Sequence, residues 1–358
     1  MNLIQNESLV RIGWNKVWQE KAEGYPALVP GRIVVEHKRL YRIETASGLL
    51  LGEVSGKFRH TAGEREDYPA VGDWVMLTPF QGEEKAIIHA ILPRVSKFSR
   101  KMAGETSGEQ IVAVNIDVVF LVMALNQDFN LRRLERYLLS TWESGATPVV
   151  VLSKSDLCEE EEIKDKVQQG ETAALGVPII ACSTINGNGV SRLLEHINEG
   201  TTVAVMGSSG VGKSSIINSL MQEDRMATHE IREGDDRGKH TTTHRELLSL
   251  PTGGVMIDTP GMRELQLWES EGGLEHGFQD IERLARECQF RDCKHENEPG
   301  CAVAAAIEEG SLDADRLASY RKLQKELAYM ERKSNKREQL IEKKKWKKIS
   351  QSQKNMRK

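Results

Sequence analysis

The chain has 358 residues, of which 39% are hydrophobic and 28% charged, a composition typical of a folded globular protein with two or three domains. It has no run of 18 apolar residues and no basic start followed by an apolar stretch, so we expect no transmembrane helix, no signal peptide and no membrane partner. Five cysteines, three of them between 288 and 301, favour the reducing cytoplasm and a metal site over a disulfide framework.

The first third of the sequence predicts a β-barrel. Residues 1–27 form an N-terminal extension that is helical or irregular. Residues 28–105 contain five strand-like runs, GRIVVEH, LYRIET, LLLGEVSGKFR, GDWVMLT and AIIHAILPR. This number of short strands suits a small closed barrel of the oligonucleotide-binding (OB) type, although a barrel without a ligand fits the same pattern. Its candidate basic contacts are Lys57, Arg59, Arg94, Lys97, Arg100 and Lys101.

Residues 106–275 change to an alternation of strands and helices. The apolar run VAVNIDVVFLVMA, residues 112–124, predicts one buried parallel strand. Residues 130–145 have helical spacing that ends at Gly145. Further strands and helices follow in turn, which predicts a mostly parallel sheet covered by helices on both faces.

The segment GSSGVGKS, residues 207–214, has the spacing of a phosphate-binding loop, and it lies between a strand pattern and a helical one. Its glycines allow backbone amides to turn inward around phosphate oxygens. Lys213 can reach the β- and γ-phosphates, and the Ser214 hydroxyl can bind Mg²⁺. The predicted phosphate contacts are Gly207, Ser208, Ser209, Gly210, Val211, Gly212, Lys213, Ser214 and Ser215.

DTPG, residues 258–261, ends the next apolar strand and suits the γ-phosphate side of the same site. Asp258 can hold Mg²⁺ through water, and the Gly261 amide can contact the γ-phosphate. A plain strand-to-turn exit would look the same in isolation, so the motif gains its meaning from the phosphate-binding loop before it.

The polar segment 225–245 lies between these two motifs and contains three consecutive threonines. A loop that closes around Mg²⁺ needs a Thr hydroxyl, and we choose Thr242 for its spacing from the next strand. Thr241 and Thr243 are competitors, and a Thr-rich loop without a ligand is the alternative.

SKSD, residues 153–156, and CST, residues 182–184, follow strands that precede the phosphate-binding loop. SKSD resembles the Asn-Lys-x-Asp motif of GTPases, in which the Asp side chain accepts hydrogen bonds from guanine. Asp156 and Lys154 fit this pattern. Ser153 replaces the amide, so we expect weaker guanine affinity or a lost tether to the phosphate-binding loop. Ser183 and Thr184 resemble the short loop that contacts guanine O6.

The order of these motifs differs from that of a Ras-like domain. The usual order is phosphate-binding loop, switch Thr, DxxG, NKxD and guanine loop. This chain has SKSD, CST, phosphate-binding loop, TTT and DTPG, which is the same set rotated. Because chain termini often lie close together on a domain surface, such a circular permutation can preserve the fold.

The C-terminal third carries a metal motif and a basic tail. Within residues 276–320, the ligands Cys288, Cys293, His295 and Cys301 have spacing that suits one structural, tetrahedral Zn²⁺, with buried free cysteines as the alternative. From Arg321 to the end, 15 Lys or Arg accompany 4 Glu. This tail, residues 321–358, is either a solvated helix end or an arm for a polyanion such as RNA.

These features together resemble the ribosome small-subunit-dependent GTPase A (RsgA, YjeQ-like) family over roughly residues 30–320. Matching segments include GDWV, NIDVVFLV, NLRRLERYL, GSSGVGKSS, GKHTTT, DTPGMREL and the zinc spacing. The resemblance implies a monomeric GTPase that assists late maturation of the small (30S) ribosomal subunit. It also implies stimulation by that subunit, and contacts between 16S rRNA and both the barrel and the zinc module.

Catalysis by such a protein requires a group that orients water. Many GTPases carry Gln after DxxG, but Met262 occupies that place here. We therefore predict slow intrinsic turnover, with Lys213 and Thr242 holding the phosphates and Mg²⁺, and His240 as the candidate that orients water. An RNA-facing or solvated His240 is the alternative.

Two other functions fit the same motifs. One is a GTPase switch whose barrel binds a protein, and the other is an RNA-binding protein that uses guanine nucleotide only for stability. Salt-sensitive binding to small subunits and phosphate release in their presence distinguish these functions from an assembly GTPase.

Overall fold

A computed structural model describes residues 6–37, 39–101, 109–126, 128–222, 245–258, 278–295, 298–325 and 328. The chain divides into two compact units, Met1–Gln266 and Leu267–Lys358. No helix in the described part is long and apolar enough to cross a membrane. The multidomain α/β fold predicted above is confirmed, whereas the domain limits near residues 105 and 275 stay predictions.

The N-terminal extension consists of two short helices, α1 (Glu7–Arg11) and α2 (Lys16–Ala22), each capped by an asparagine that precedes it. Trp14 and Trp18 are buried against Trp74 of the barrel, with ring centroids 4.8 and 6.1 Å apart. The extension is therefore part of the core and not a loose leader.

The predicted five-stranded barrel is present. Strand β1 pairs with β2 and β4, β2 pairs with β3, and β5 closes the barrel between β3 and β4. Alternate side chains fill the interior, including Ile33, Ile43, Val75, Leu77 and Ile88. The strands are β1 (Val29–Glu36), β2 (Tyr41–Thr45), β3 (Gly48–Val54), β4 (Trp74–Pro79) and β5 (Lys85–Ile91).

Two expectations for the barrel are wrong. The run LLLGEVSGKFR is not a single strand, because the Ser55 hydroxyl accepts a hydrogen bond from the Phe58 N–H at 3.1 Å and caps helix α3 (Gly56–Thr61). Arg94 is not a free basic contact, since it makes a two-pronged ion pair with the buried carboxylate of Asp73, at 2.8 and 2.9 Å.

The other predicted basic contacts differ in the exposure of their side chains and in their acidic neighbours. Lys57 and Arg59 are exposed on α3, and Lys97 lies 3.9 Å from Glu66. The side chains of Arg100 and Lys101 lie outside the described residues.

The apolar run 112–124 is divided between two strands, which corrects the single strand predicted there. A hairpin of β6 (Lys97–Lys101) and β7 (Glu109–Val114) precedes β8 (Val118–Ala124). Asn115 turns the chain between β7 and β8 with a φ of 55°. Its side chain accepts from the Val95 N–H at 2.9 Å and donates to the Gly72 carbonyl at 3.1 Å, which satisfies backbone groups at the turn.

A six-stranded sheet follows, in the order β10-β9-β8-β11-β13-β12. It is parallel except for β12, and alternate residues of β8 enter separate cores on its two faces. Helix α4 ends at Gly145, with a φ of 90°, as predicted. The remaining strands are β9 (Thr147–Ser153), β10 (Ile179–Ala181), β11 (Thr202–Gly207), β12 (Glu246–Ser249) and β13 (Val255–Asp258). The helices are α4 (Leu131–Ser144), α5 (Glu160–Ala173), α6 (Val190–Leu194) and α7 (Lys213–Met221).

Strand β1 of the barrel also pairs with β12 of the parallel sheet, antiparallel, with Val35 opposite Glu246. The barrel and the sheet are therefore one hydrogen-bonded system of eleven strands.

Buried Arg32 reinforces this junction. It donates to the carbonyl groups of Ile12, Gly72 and Asn115 and, at 2.8 Å, to the Thr202 hydroxyl at the start of β11. Burial lowers the pKa of Arg32 to about 10, so its side chain remains charged at neutral pH and needs these acceptors.

The second unit contains α8 (Gln279–Arg286), α9 (Ala302–Glu308) and a helix over residues 314–325. The Arg316 side chain makes an ion pair with Asp280, and the Tyr320 hydroxyl donates to Glu282 at 2.6 Å. These contacts fasten the last described helix to α8.

Candidate nucleotide site and metal centre

The phosphate-binding loop occupies residues 207–212, between the end of β11 and the start of α7. Gly207 has a φ of 155°, and a Cβ atom there would lie 2.3 Å from the Val122 carbonyl oxygen. Gly212 begins α7 with a φ of 91°, and no side chain caps this helix among the described residues. The N–H groups of its first turn therefore remain available to phosphate oxygens.

Lys213 lies over the loop to which it belongs. Its Nζ atom donates to the carbonyl oxygen of Gly207 at 2.8 Å and also to that of Ser208. These contacts hold the ammonium group at the loop, where a phosphate would neutralise it. The neighbouring side chain of Val211 is buried, whereas Ser214 and Ser215 in the first turn are half-buried.

The two predicted guanine loops lie against each other. Ser153 ends β9, and residues Ser155–Leu157 form a 3₁₀ turn after Lys154, whose φ is 59°. The Ser155 N–H donates to the Cys182 carbonyl at 3.1 Å, which joins SKSD to CST. Asp156 is exposed at this place, so its carboxylate can accept from a base.

Ser153 makes a tether to the phosphate-binding loop, whose loss was one of the two consequences expected for this residue. Its hydroxyl is buried, 2.6 Å from the carbonyl oxygen of Val211 in the phosphate-binding loop and 3.3 Å from that of Met123. A lost tether is therefore wrong, and the expectation of weaker guanine affinity stays a prediction.

In the second guanine loop, Ser183 has a structural contact of its own. Its buried hydroxyl accepts from the Ile185 N–H at 3.2 Å, so the side chain holds the loop and leaves any base contact to the backbone or to half-buried Thr184.

The parallel strands bring the rotated motifs to one edge. SKSD follows β9, CST follows β10, the phosphate-binding loop follows β11, and Asp258 ends β13. Because parallel strands direct their carboxyl ends to the same edge, these motifs meet in the crevice where α/β sheets bind ligands. Strand β13 places the Asp258 backbone opposite Glu246, but its side chain is outside the described part, as are His240, Thr242 and Gly261.

The four predicted metal ligands converge in the second unit. The side-chain donor atoms of Cys288, Cys293, His295 and Cys301 lie within 4.8 Å of one another. The Cys288 and Cys301 sulfurs are 3.9 Å apart, and the His295 Nδ1 atom lies 3.6 and 3.5 Å from them. Tetrahedral Zn²⁺, with bonds of about 2.3 Å to sulfur and about 2.0–2.1 Å to nitrogen, requires separations of about 3.8 and 3.6 Å. The donor set therefore fits zinc.

The surroundings shift the pKa values of three of these donor groups, in different directions. Burial disfavours the Cys288 thiolate, but hydrogen bonds from the N–H groups of Val303 and Ala302 and from the neighbouring cysteines together outweigh it and lower the pKa of Cys288. Burial raises the pKa of Cys293 to about 11. Burial also lowers the pKa of His295, which favours the neutral imidazole that a metal needs.

Two contacts escaped the sequence analysis because the residue types carry no motif. Arg32 joins β1 to the start of β11, and Arg321, in the helix over residues 314–325, contacts residues 288–295, hereafter the metal loop. An isolated arginine in a sequence does not indicate which carbonyl groups it will meet.

Comparison with known proteins agrees with this arrangement. A family model described as RsgA GTPase matches residues 91–268, and one described as 50S ribosome-binding GTPase matches residues 202–344. "Small ribosomal subunit biogenesis GTPase RsgA 1" from Oceanobacillus iheyensis is 50% identical over 327 residues, covering 91% of this chain and 93% of that one. "Small ribosomal subunit biogenesis GTPase RsgA" from Opitutus terrae is 42% identical over 357 residues, covering 97% of each.

Solved structures agree with the fold. YjeQ from Thermotoga maritima has a TM-score of 0.64 and 26% identity, covering 84% of this chain and 99% of its own. YloQ, described as a circularly permuted GTPase, has a TM-score of 0.63 and 23% identity, covering 86% and 97%. The rotated motif order, the five-stranded barrel, the Cys/His cluster and identity of up to half over nine-tenths of the chain lead to one conclusion: the chain belongs to the RsgA family of circularly permuted GTPases.

Proposed function

We propose that this GTPase acts as a late assembly factor of the small (30S) ribosomal subunit in the cytoplasm, as a monomer, and that the subunit stimulates its turnover. The observation that carries the proposal is the meeting of SKSD, CST and the phosphate-binding loop at one sheet edge, joined to an OB-type barrel. Relatives that match nine-tenths of the chain are named for biogenesis of this subunit, which supports the choice of partner.

The nucleotide contacts follow from the geometry. Lys213 would exchange its bonds to the Gly207 and Ser208 carbonyl oxygens for bonds to the β- and γ-phosphates. The Asp156 carboxylate would accept from guanine N1 and N2, the Lys154 stem would pack over the base, and the CST loop would lie at its O6 edge. Mg²⁺ would be held by Ser214, Thr242 and Asp258, and would neutralise charge on the phosphates.

Hydrolysis by the isolated protein should be slow. Met262 stands where many GTPases have Gln, and a thioether cannot orient the attacking water. We propose that His240 supplies this group when the subunit is bound. His240→Ala should then reduce subunit-stimulated turnover and leave GDP affinity unchanged, whereas unchanged stimulated turnover removes His240 from the mechanism.

The proposed rRNA contacts are electrostatic. Helix α3 exposes Lys57, Arg59 and His60 on the barrel, and the basic tail adds a second cationic segment. Because phosphate contacts release counterions, binding should weaken steeply as salt rises. Lys57→Glu combined with Arg59→Glu should reduce subunit affinity and leave GDP binding unchanged.

The proposed Zn²⁺ at Cys288, Cys293, His295 and Cys301 is structural. The three thiolates and the imidazole use four tetrahedral positions, so no open position remains for a substrate. Its contribution would be to order a segment that has few apolar contacts of its own.

One experiment tests the main proposal. Phosphate release from GTP is measured for the wild type with and without purified small subunits, with large subunits as the matched control. We expect stimulation by small subunits alone, abolished by Lys213→Ala. Equal stimulation by the small and the large subunits, or no stimulation by either, contradicts the proposed role.

A further inference from the structure

The metal loop is held from outside by Arg321, which is 26 residues beyond His295 in the chain. Its Nη2 atom donates to the carbonyl oxygen of Lys294 at 3.3 Å and also to that of His295. The Nε atom of the same guanidinium is shielded from solvent. Arg321 therefore lies in the interface between the metal loop and the helix over residues 314–325, and is not a solvated surface cation.

The backbone that Arg321 contacts has an unusual conformation. His295 has a φ of 60°, a left-handed conformation that non-glycine residues adopt only where the surroundings impose it. The conformation directs Nδ1 toward the sulfurs of Cys288 and Cys301. Because the His295 carbonyl accepts from Arg321, the guanidinium fixes the residue whose orientation completes the ligand set.

The charge of Arg321 suits the same position. Three thiolates around one divalent cation leave an excess negative charge, and a neighbouring guanidinium offsets it. The nearby carboxylates of α8 already have partners: Asp280 makes an ion pair with Arg316, and Glu282 accepts from the Tyr320 hydroxyl. Arg321 is a cation that contacts the backbone of the metal loop directly.

The helix that carries Arg321 has two anchors. Arg316 and Tyr320 hold it to α8, through Asp280 and Glu282, while Arg321 holds it to the metal loop. The Arg316 guanidinium also lies 4.8 Å from the centre of the Phe278 ring. The last residues of this helix, from Arg321 onward, are the start of the basic tail.

We propose that Arg321 is a positioning residue of the metal site, and that it couples metal binding to the ordering of the helix that leads into the basic tail. The proposal rests on the proposed Zn²⁺ in the cluster. A metal that fixes the loop presents the Lys294 and His295 carbonyl oxygens to Arg321, and Arg321 in turn favours the conformation in which His295 binds the metal.

The first measurement is Zn²⁺ affinity, by competition with a chromophoric chelator, for the full-length wild type, Arg321→Ala, Arg321→Lys and Lys322→Ala. Lys322 is the exposed neighbour on the same helix and serves as the matched control, since its loss removes the same charge. We expect Arg321→Ala to weaken Zn²⁺ binding about 10- to 100-fold, the usual effect of losing a residue that orients a ligand. Arg321→Lys should lie between, because it keeps the charge and loses the fork that reaches two carbonyl oxygens.

The second measurement is hydrogen exchange of amides in residues 314–325, before and after zinc is removed from the wild type by a chelator. Exchange should rise on removal, and Arg321→Lys with zinc bound should already show part of that rise. Wild-type affinity in both Arg321 variants, or exchange that zinc does not change, overturns the proposal. A wild type that binds no zinc refutes the metal site itself, which is a separate result.

Discussion

The hydroxyl of Ser153 joins the SKSD loop to the phosphate-binding loop, through the Val211 carbonyl at 2.6 Å. Ser153→Ala removes the donor and leaves a buried acceptor. Such an unsatisfied group costs about 1–3 kcal/mol. Since about 1.4 kcal/mol corresponds to a factor of ten, the whole cost in nucleotide affinity would be about 5- to 150-fold.

The contact joins two buried backbone segments, so its loss divides between the stability of the fold and the affinity for nucleotide. The Met123 carbonyl, at 3.3 Å from the Ser153 hydroxyl, is the weaker of the two acceptors, so losing the hydroxyl costs this carbonyl little. We therefore expect GDP affinity to fall about tenfold, in the lower part of the range, because the rest of the cost falls on the stability of the fold.

Fluorescent GDP titration measures the effect, with thermal unfolding as the companion measurement. Ser153→Thr keeps the hydroxyl and should bind GDP as the wild type does. Ser155→Ala is the matched control, because Ser155 contacts the Cys182 carbonyl through its backbone N–H, which alanine retains. Equal GDP affinity for Ser153→Ala and Ser155→Ala would refute the role assigned to the tether.

Asp156→Asn replaces one of the two acceptor oxygens with an NH₂ donor at the proposed guanine contact, so GDP affinity should fall by more than about 100-fold while ADP affinity stays low, measured by competition. Arg32→Met leaves the Thr202 hydroxyl and three buried carbonyl groups without their donor and should lower the free energy of unfolding by about 3 kcal/mol, measured with urea; a loss below about 1 kcal/mol contradicts its role. Zinc affinity should fall between about pH 7 and about pH 5, because protons compete for the sulfur and nitrogen donors. Burial lowers the pKa of His295, which keeps its imidazole available to a metal further into the acid range. Chelator competition across this pH range measures the zinc affinity, and an affinity that does not change contradicts the competition by protons.

Sequence patterns predicted the elements whose signals are local. The helix 131–144 and its stop at Gly145 depend on helical spacing and one left-handed residue, and both are present. The phosphate-binding loop depends on glycines whose neighbours in the chain already form the strand and the helix. The rotated motif order was enough to predict a permuted GTPase fold, because each motif follows its own strand.

The features that sequence patterns missed depend on partners far along the chain. The apolar run 112–124 resembles one strand, but Asn115 breaks it where buried carbonyl and N–H groups of the barrel need its amide. Arg94 resembles a surface cation, but its guanidinium makes an ion pair with the buried carboxylate of Asp73, which precedes it by 21 residues. In both cases the deciding group is a distant buried polar atom, and hydrophobic periodicity contains no information about it.

The pairing of β1 with β12 is the strongest such case. Strand β12 is the antiparallel edge of the six-stranded sheet, and an uncovered edge exposes backbone groups that seek another strand. The barrel supplies that strand, with Val35 opposite Glu246, and Arg245 beside it donates to the Ile111 carbonyl at 2.7 Å. Because β1 and β12 are paired, a shift of β12 must also shift β1 or break this pairing. Strand β12 is also the first strand after the segment that contains Thr242. A barrel bound to a rigid partner would therefore restrict the strand next to the nucleotide site, which gives a physical route by which binding at the barrel can change GTP turnover.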